Sequence, residues 1–262
     1  MLERMSLLLS SGVLVLAALP LTAANAAAPI GFAGTVSGEY GHLDAGGATG
    51  DSWGINGEGA FGLGPNVGAQ INGGYHNLSD ESDVDADIFD IGGSLFWATQ
   101  MFRAGGTVAY KSIDLGDGFD LNATAYGAFG EFYFSDFFTV AAHGGGWSGE
   151  FLGFDADGYY VGGRATGYIM PNLALSGTVD FFGDEGDATT WGIDAEWLFS
   201  ETMPLSIYGG YRNTSADGGG GDIDAFFIGV RFYAGGAPMP LVGHHRNGTL
   251  GWLGQPLTGL QF

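Results

Sequence analysis

Polar and apolar residues alternate in short segments along the chain from Gly34 onward, and no helical 3.6-residue period of convincing length interrupts them. The segments are roughly ten to thirteen residues long, which is the length that a tilted, membrane-crossing strand needs. A period of two places successive side chains on opposite faces of a strand. The pattern therefore predicts strands that each have one polar and one apolar face.

The connections between these segments are of two kinds, and the two kinds alternate. One kind is tight and uses turn residues, as in Gly64-Pro65-Asn66 and Met170-Pro171-Asn172, whereas the other is longer and acidic. We therefore predict an all-β fold, a single transmembrane antiparallel up-and-down β-barrel of about 12 strands, with all tight turns at one end. The strands are expected near residues 33–42, 51–62, 67–77, 86–98, 102–113, 120–134, 137–150, 157–169, 173–182, 188–199, 204–214 and 222–233.

The apolar face of these segments tends to carry an aromatic residue at each end and small aliphatic residues between. Residues 188–199, for example, place Trp191, Ile193 and Trp197 on the face opposite Asp194 and Glu196. Two aromatic girdles are typical of strands that cross a bilayer. The five basic residues of this region all share the polar face, because Lys or Arg at the lipid midplane costs roughly 2–4 kcal/mol. They are Arg103, Lys111, Arg164, Arg212 and Arg231.

Parity alone does not decide which face points inward, so a soluble exported barrel or sandwich with an apolar core is the alternative. The aromatic ends, the strand length and the many glycines on the polar face favour the membrane barrel, since a solvent face usually carries Lys, Glu and Thr. One strand leaves a second choice open. In 120–134, Glu131 shares parity with Leu121 and Ala123 unless a bulge shifts the register.

The two ends of the chain differ from the alternating region. Leu7 to Leu21 is almost wholly apolar and Ala24-Asn25-Ala26 is a small-x-small cleavage signal, which predicts a secretory signal peptide over 1–26. The barrel is then expected over 27–234. Residues 235–262 hold three prolines and are interpreted as a periplasmic tail or partial plug, in which His244 and His245 are expected to be solvent-exposed rather than metal ligands.

Charge limits the classes of partner. Charged residues are 14% of the chain, against about a quarter in a typical soluble domain, and Cys is absent, so backbone pairing and packing must hold the fold. The net charge of −22 argues against nucleic acid as a partner and attracts cations. The acidic loops are expected to form a solvated negative rim, and we expect no cofactor beyond loosely bound Ca²⁺ or Mg²⁺. The rim residues include Asp80, Glu81, Asp83, Asp85, Asp87, Asp184, Glu185 and Asp187.

Motifs that would indicate other chemistry are incomplete. Gly57 to Gly62 matches a dinucleotide fingerprint, but a Pro-Asn turn and another strand follow in place of the helix that would hold the pyrophosphate. Asp83-Val-Asp85-Ala-Asp87 begins like a calcium loop, yet Ile88 and Ser94 stand where Gly and Glu are needed. There is no Gly-x-Ser-x-Gly elbow and no zinc signature, so we do not expect an enzyme.

The pattern over 33–233 resembles the outer-membrane porin-like β-barrels of Gram-negative bacteria. Tyr168-Ile-Met-Pro-Asn-Leu-Ala-Leu-Ser-Gly-Thr-Val-Asp180 looks like a porin hairpin around a periplasmic turn. Gly229-Val-Arg-Phe232 partly matches the closing-strand signal of that family, although a further stretch follows it, and Phe262 resembles the family's terminal Phe. The resemblance implies an outer-membrane location with periplasmic termini and extracellular acidic loops. It also implies contact with membrane lipid, lipopolysaccharide and the barrel insertion machinery.

The lumen is then the predicted functional site. Many inward glycines leave room for a narrow water-filled path, and opposed rows of acid and base would orient polar solutes. We expect passive diffusion of small hydrophilic solutes with a weak cation preference. The alternative is a non-conducting surface protein whose acidic loops bind divalent cations, lipopolysaccharide or a surface layer. The expected pore-lining residues are Glu58, Asp90, Arg103, Lys111, Arg164, Asp180, Asp194, Glu196, Arg212 and Arg231.

Overall fold

A computed structural model of the protein describes residues 31–45, 48–80, 85–116, 120–151, 154–184, 187–216, 222–235 and 238–248. The predicted signal peptide, the rim residues Glu81, Asp83 and Glu185, and the end of the tail from 249 to 262 lie outside these ranges.

Twelve antiparallel strands form one closed barrel, in which each strand pairs with its neighbours in sequence and the first pairs with the last. The predicted up-and-down β-barrel is therefore confirmed. A short helix, α1 (Leu241–Asn247), follows the last strand, and no helix among the described residues is long and apolar enough to cross a membrane. The strands are β1 (Phe32–Ala45), β2 (Ala48–Gly62), β3 (Val67–Asp80), β4 (Asp85–Ala98), β5 (Phe102–Asp114), β6 (Asp120–Ser135), β7 (Phe138–Phe151), β8 (Phe154–Met170), β9 (Leu173–Asp184), β10 (Ala188–Ser200), β11 (Met203–Ala216) and β12 (Asp222–Ala234).

One end of the barrel, the turn end, carries the short connections. Side chains close these turns: the Thr99 hydroxyl accepts hydrogen bonds from the backbone N–H groups of Met101 and Phe102 at 3.2 and 3.1 Å. The pairing of Gly34 with Ala234 places the start of β1 and the end of β12 at this end as well. The acidic connections lie at the opposite end, the loop end, and range from two residues between β1 and β2 to five residues between β11 and β12.

Pairing at the loop end extends farther than the sequence predicts. Ser79 pairs with Asp85, and Gly158 pairs with Asp184, so the acidic residues at these positions belong to strands. Asp80, Asp85, Asp87 and Asp184 are therefore strand residues, and their assignment to loops was wrong. Alternating hydrophobicity ends where the apolar band ends, whereas backbone hydrogen bonding continues beyond it.

The two faces of the wall settle which side of the strands points inward. Large apolar side chains lie on the outer face, where Ile71, Leu95 and Ile193 are 61%, 62% and 59% exposed. Polar side chains of opposite parity, including Gln70 and Lys111, are buried inside. A soluble barrel would have the reverse arrangement, with its apolar residues in the core, so that alternative is excluded.

The ambiguous strand β6 keeps one register along almost its whole length. It pairs continuously from Leu121 to Phe132 with β5 and to Tyr133 with β7, and the irregularity between Tyr133 and Ser135 comes only at the turn end. Glu131 therefore shares the inward face with Ala125 and Phe129, and all three are buried.

Inward glycines do not simply leave open space in the lumen, as the sequence suggested. A Cβ at Gly54 would overlap the ring of His76, and a Cβ at Gly229 would overlap the ring of Tyr208. Glycine on one strand thus lets a large side chain from the neighbouring strand lie flat against the wall. The space that the glycines provide is taken up by these side chains.

Candidate functional site: the barrel interior

The ten predicted lumen residues all project into the barrel, but the exposed fraction of their side chains differs widely. Arg103 and Lys111 are each only 1% exposed, whereas the Arg231 side chain is 22% exposed. Most of these charged groups are neutralised by a partner on a nearby strand.

Near the turn end, Arg103 of β5 and Glu131 of β6 form a buried ion pair. The Arg103 Nε and Nη2 groups donate to Glu131 Oε2 at 2.9 and 2.8 Å, and the Tyr133 hydroxyl donates to the same oxygen at 2.9 Å. The Arg103 guanidinium also lies 5.3 Å from the centre of the Phe96 ring. The two partners are directly opposite in the β5–β6 register, so adjacent strands bring them together.

Glu196 of β10 is the centre of a second buried cluster. It accepts hydrogen bonds from Ser206 and Tyr233 at 2.5 Å each and forms an ion pair with Arg231 at 2.6 Å. The Arg231 guanidinium in turn lies 4.5 Å from the centre of the Tyr208 ring. Arg231 belongs to β12, two strands from Glu196, and the small Ser206 side chain on β11 lies between them.

Two further pairs also reach across an intervening strand. Arg164 of β8 donates to Asp194 of β10 at 2.7 Å. His143 Nε2 of β7 lies 2.8 Å from Asp180 Oδ1 of β9, directly over Gly162 of β8. Gly162 is needed there because any Cβ at that position would overlap the Asp180 carboxylate.

The remaining charged wall residues contact groups on adjacent strands. Lys111 faces Asp90 across the β4–β5 pair, and Glu58 accepts a hydrogen bond from the Thr35 hydroxyl at 3.0 Å. The Arg212 guanidinium lies 4.6 Å from the centre of the Phe227 ring. Acids and bases therefore lie beside one another along the wall, and the opposed rows suggested by the sequence are not present in the described lumen.

The helix α1 packs inside the turn end of the barrel. Leu241 is completely buried in a cluster with Tyr168, Leu198 and Tyr233, and its backbone N–H donates to the Pro171 carbonyl at 2.8 Å. This apolar contact fixes the start of the helix against β8, β10 and β12.

Polar contacts fix the other end of the helix. Arg246 donates to the Thr139 hydroxyl at 3.1 Å and to the carbonyls of Ser135 and Phe138. Arg103 donates to the carbonyls of Gly248 and His245 at 3.0 and 3.3 Å. The segment 238–248 thus occupies part of the lumen at the turn end.

The two tail histidines are not solvent-exposed in the way the sequence suggested. His244 is buried and stacks on Tyr233 with 4.4 Å between ring centres. Burial, aided by the charge of neighbouring His245, lowers the pKa of His244 to about 4, so the docked imidazole is neutral. His245 lies between the hydroxyls of Tyr168 and Tyr233, each 3.2 Å from a ring nitrogen.

The acidic residues at the loop end lie partly on the outer face rather than in the lumen. Asp87 accepts hydrogen bonds from the Tyr75 hydroxyl at 2.5 Å and from Asn77 at 3.0 Å. Asp224 is held in the same way by Tyr211 and Asn213. The same arrangement thus occurs at two places on the barrel: an outward tyrosine donates to a carboxylate that lies nearer the loop end. Asp187 is exposed.

An open groove of about 380 Å³ lies on this outer face near the loop end of β5 to β8. Its lining includes three carboxylates and no basic residue. Among the described residues no group of three or more His, Asp or Glu side chains has a geometry that would hold a metal ion. The polar lining residues are Tyr110, Asn122, Thr124, Ser148, Glu150, Asp155 and Asp157.

Sequence reasoning missed several residues that shape the lumen. Glu131 was hidden by the parity ambiguity of β6, and Arg246 was overlooked because it follows the barrel. His143 was missed because nothing in the sequence shows that Asp180 lies two strands away in register.

No protein-family model matches the chain, and no curated protein matches its sequence. Solved structures do share its architecture. The KdgM porin in complex with disordered oligogalacturonate is 10% identical, with a TM-score of 0.52 over 76% of this chain and 98% of the porin. The translocator domain of the autotransporter NalP from Neisseria meningitidis is 11% identical, with a TM-score of 0.51 over 77% of this chain and 88% of that domain.

The CymD monoaromatic hydrocarbon channel is also similar, at 10% identity and a TM-score of 0.50 over 80% of this chain and 89% of the channel. The property shared with all three is the fold. The resemblance to porin-like barrels that the sequence suggested is thus confirmed at the level of architecture.

Proposed function

We propose that this chain is an outer-membrane channel through which small hydrophilic solutes diffuse passively. The observation that carries the proposal is the inverted distribution of side chains. A closed barrel with an apolar, aromatic outer face satisfies its backbone hydrogen bonds internally and is suited to a bilayer. The charged interior keeps several side chains partly exposed to water, among them Arg164, Asp194 and Arg231.

We propose an orientation that the two ends of the barrel support. The short turns, the start of β1 and the end of β12 lie at the same end of the barrel. In outer-membrane barrels that end is periplasmic, so the acidic loop end would face the outside of the cell. The barrel insertion machinery is the partner that such an orientation requires. The Gly229-Val-Arg-Phe232 stretch of β12 is the proposed signal that it recognises.

A weak cation preference is the finer part of the proposal. Among the described wall and helix residues, seven inward carboxylates face five basic wall residues and Arg246, so the lumen is near balance. The net charge of −22 therefore resides mostly outside the lumen, and the acidic loop end enriches cations at the mouth. The inward acids are Glu39, Glu58, Asp90, Glu131, Asp180, Asp194 and Glu196.

Planar-bilayer recordings of the mature chain test both parts. We expect discrete conductance steps and a reversal potential that indicates cation preference in a salt gradient. Replacing Asp155 and Asp157 by Asn should reduce that preference without abolishing conductance, whereas Thr189→Ser near the same end is the matched uncharged control. Bilayers that stay closed with correctly folded protein would refute the channel.

A second candidate is a non-conducting surface protein that binds lipopolysaccharide through divalent cations. The internal pairing of lumen charges, the docked α1 and the acidic outer groove favour it. Three carboxylates on a membrane-facing surface would repel lipid phosphates unless Ca²⁺ or Mg²⁺ bridged them. Closed bilayers together with Ca²⁺ binding that is lost on replacing Glu150 and Asp155 would support this candidate.

A further inference from the structure

The charged side chains of the lumen differ in exposure from one half of the wall to the other. On β8 to β12 and on β1 and β2, the described inward charged side chains are partly exposed, with the single exception of Glu196. On β3 to β7, every described charged inward side chain is buried. The accessible wall carries Glu39, Glu58, Arg164, Asp180, Asp194, Arg212 and Arg231, and the closed wall carries His76, Asp90, Arg103, Lys111, Glu131 and His143.

The exposed fractions of the charged side chains differ between the two walls. The side chains of Arg231, Asp194, Arg164 and Asp180 are 22%, 18%, 17% and 14% exposed. On the closed wall the exposed fractions range from 1% for Lys111 to 9% for His143. Water inside the barrel therefore contacts the charges of one half of its circumference.

We propose that the aqueous path of the channel is eccentric, and that charges of the accessible wall set ion selectivity. The inference rests on the proposed channel function. Along this wall, Asp180 and Arg212 lie toward the loop end, Arg164 and Asp194 lie near the middle, and Arg231 and Glu58 lie toward the turn end. A solute that follows it meets acidic and basic groups together at each level.

The position of the helix agrees with this path. The polar contacts of α1 and Gly248 go to β5, β6, β7, β8, β10 and β12. The sector of the turn end formed by β1 and β2, which carries Glu58, is not among these contacts. A solute passing the helix would therefore leave beside Glu58.

Buried and exposed charges act differently on a passing ion. A buried pair such as Arg103 and Glu131 presents opposite charges 2.8 Å apart, so its field largely cancels beyond the wall. The Arg212 guanidinium is partly exposed, so a passing ion can approach it directly. At a separation of about 5 Å in water, one unit charge changes ion occupancy about fourfold.

Single-cysteine labelling tests the path directly, because the natural chain contains no Cys. Thr178→Cys lies on the accessible wall and Ser94→Cys on the closed wall, and both changes are conservative in size. Thr178 is partly exposed and Ser94 is 6% exposed. A charged, membrane-impermeant thiol reagent should label Thr178→Cys rapidly and shift the current, and should leave Ser94→Cys unmodified for far longer.

Selectivity provides the second measurement. Arg212→Gln should lower anion permeability about fourfold, and Glu39→Gln should shift the reversal potential in the opposite direction. Equal labelling rates for Thr178→Cys and Ser94→Cys, or an unchanged reversal potential in Arg212→Gln, would overturn the inference.

Failure of the channel and failure of the path are distinguishable. A folded chain that conducts no current refutes the proposed function. Labelling followed by mass spectrometry in lipid vesicles needs no current, so it still reports which wall water reaches. Preferential modification of Thr178→Cys there supports the path, and equal modification refutes it.

Discussion

The buried Arg103–Glu131 pair offers a sharp energetic test of the lumen geometry. Replacing Arg103 with Met removes two charge-assisted hydrogen bonds to Glu131 Oε2, at about 1.5–3 kcal/mol each, and leaves a buried carboxylate without its cation. Breaking a buried pair from one side typically costs about 3–5 kcal/mol. We therefore expect Arg103→Met to lower the free energy of unfolding by about 3–5 kcal/mol.

The double variant makes the prediction specific. Arg103→Met with Glu131→Leu removes both charges, so most of the loss should be recovered, and the remainder should reflect the lost anchoring of the Gly248 carbonyl. Urea unfolding of the barrel refolded in lipid vesicles compares the wild type, the two single variants Arg103→Met and Glu131→Leu, and the double variant. Asp51→Asn is the control, since Asp51 pairs with His42 where both are about half exposed, and its urea midpoint should not move. Additive losses in the double variant would contradict the pairing.

Three further outcomes are expected. Val230→Arg places a charge on the outer face beside Arg231 and should destabilise the folded barrel in vesicles by roughly 2–4 kcal/mol, measured by urea unfolding. Gly229→Ala brings a Cβ to 2.5 Å from the Tyr208 ring and should cost about 1–3 kcal/mol, whereas Gly57→Ala meets nothing within 4 Å and should be neutral. Neutral His244 stabilises docking fully above pH 6.5, and this contribution is lost as pH falls toward about 4, so tail proteolysis should increase over that window in the wild type but not in His244→Gln.

Much of the fold could be predicted because the determining interactions are local. A period of two fixes the face of each residue, so Arg164 and Arg212 were correctly placed inside from parity. Turn residues fixed where the strands end at the turn end, as at Pro171. At the loop end no such signal exists, and six of the twelve strands extend two or three residues farther than predicted, as in β8.

The ion pairs inside the lumen could not be predicted. Parity shows which face of the wall a side chain lies on, but not its position along the barrel axis. Strand tilt and stagger decide which side chains share a level, and those quantities belong to the closed barrel. Arg164 therefore meets Asp194 two strands away, which no spacing in the sequence indicates. The helix was missed as well, since Leu241 to Asn247 is too short to show a period.

The docking site of α1 is assembled from residues that are far apart in sequence. Tyr233 belongs to the final strand, which completes the barrel by pairing with β1, and Arg103 belongs to the fifth. A half-built or open sheet does not present these groups at the right separation. The complete docking site therefore exists only in the closed barrel, so we expect the tail to dock after β1 and β12 have paired.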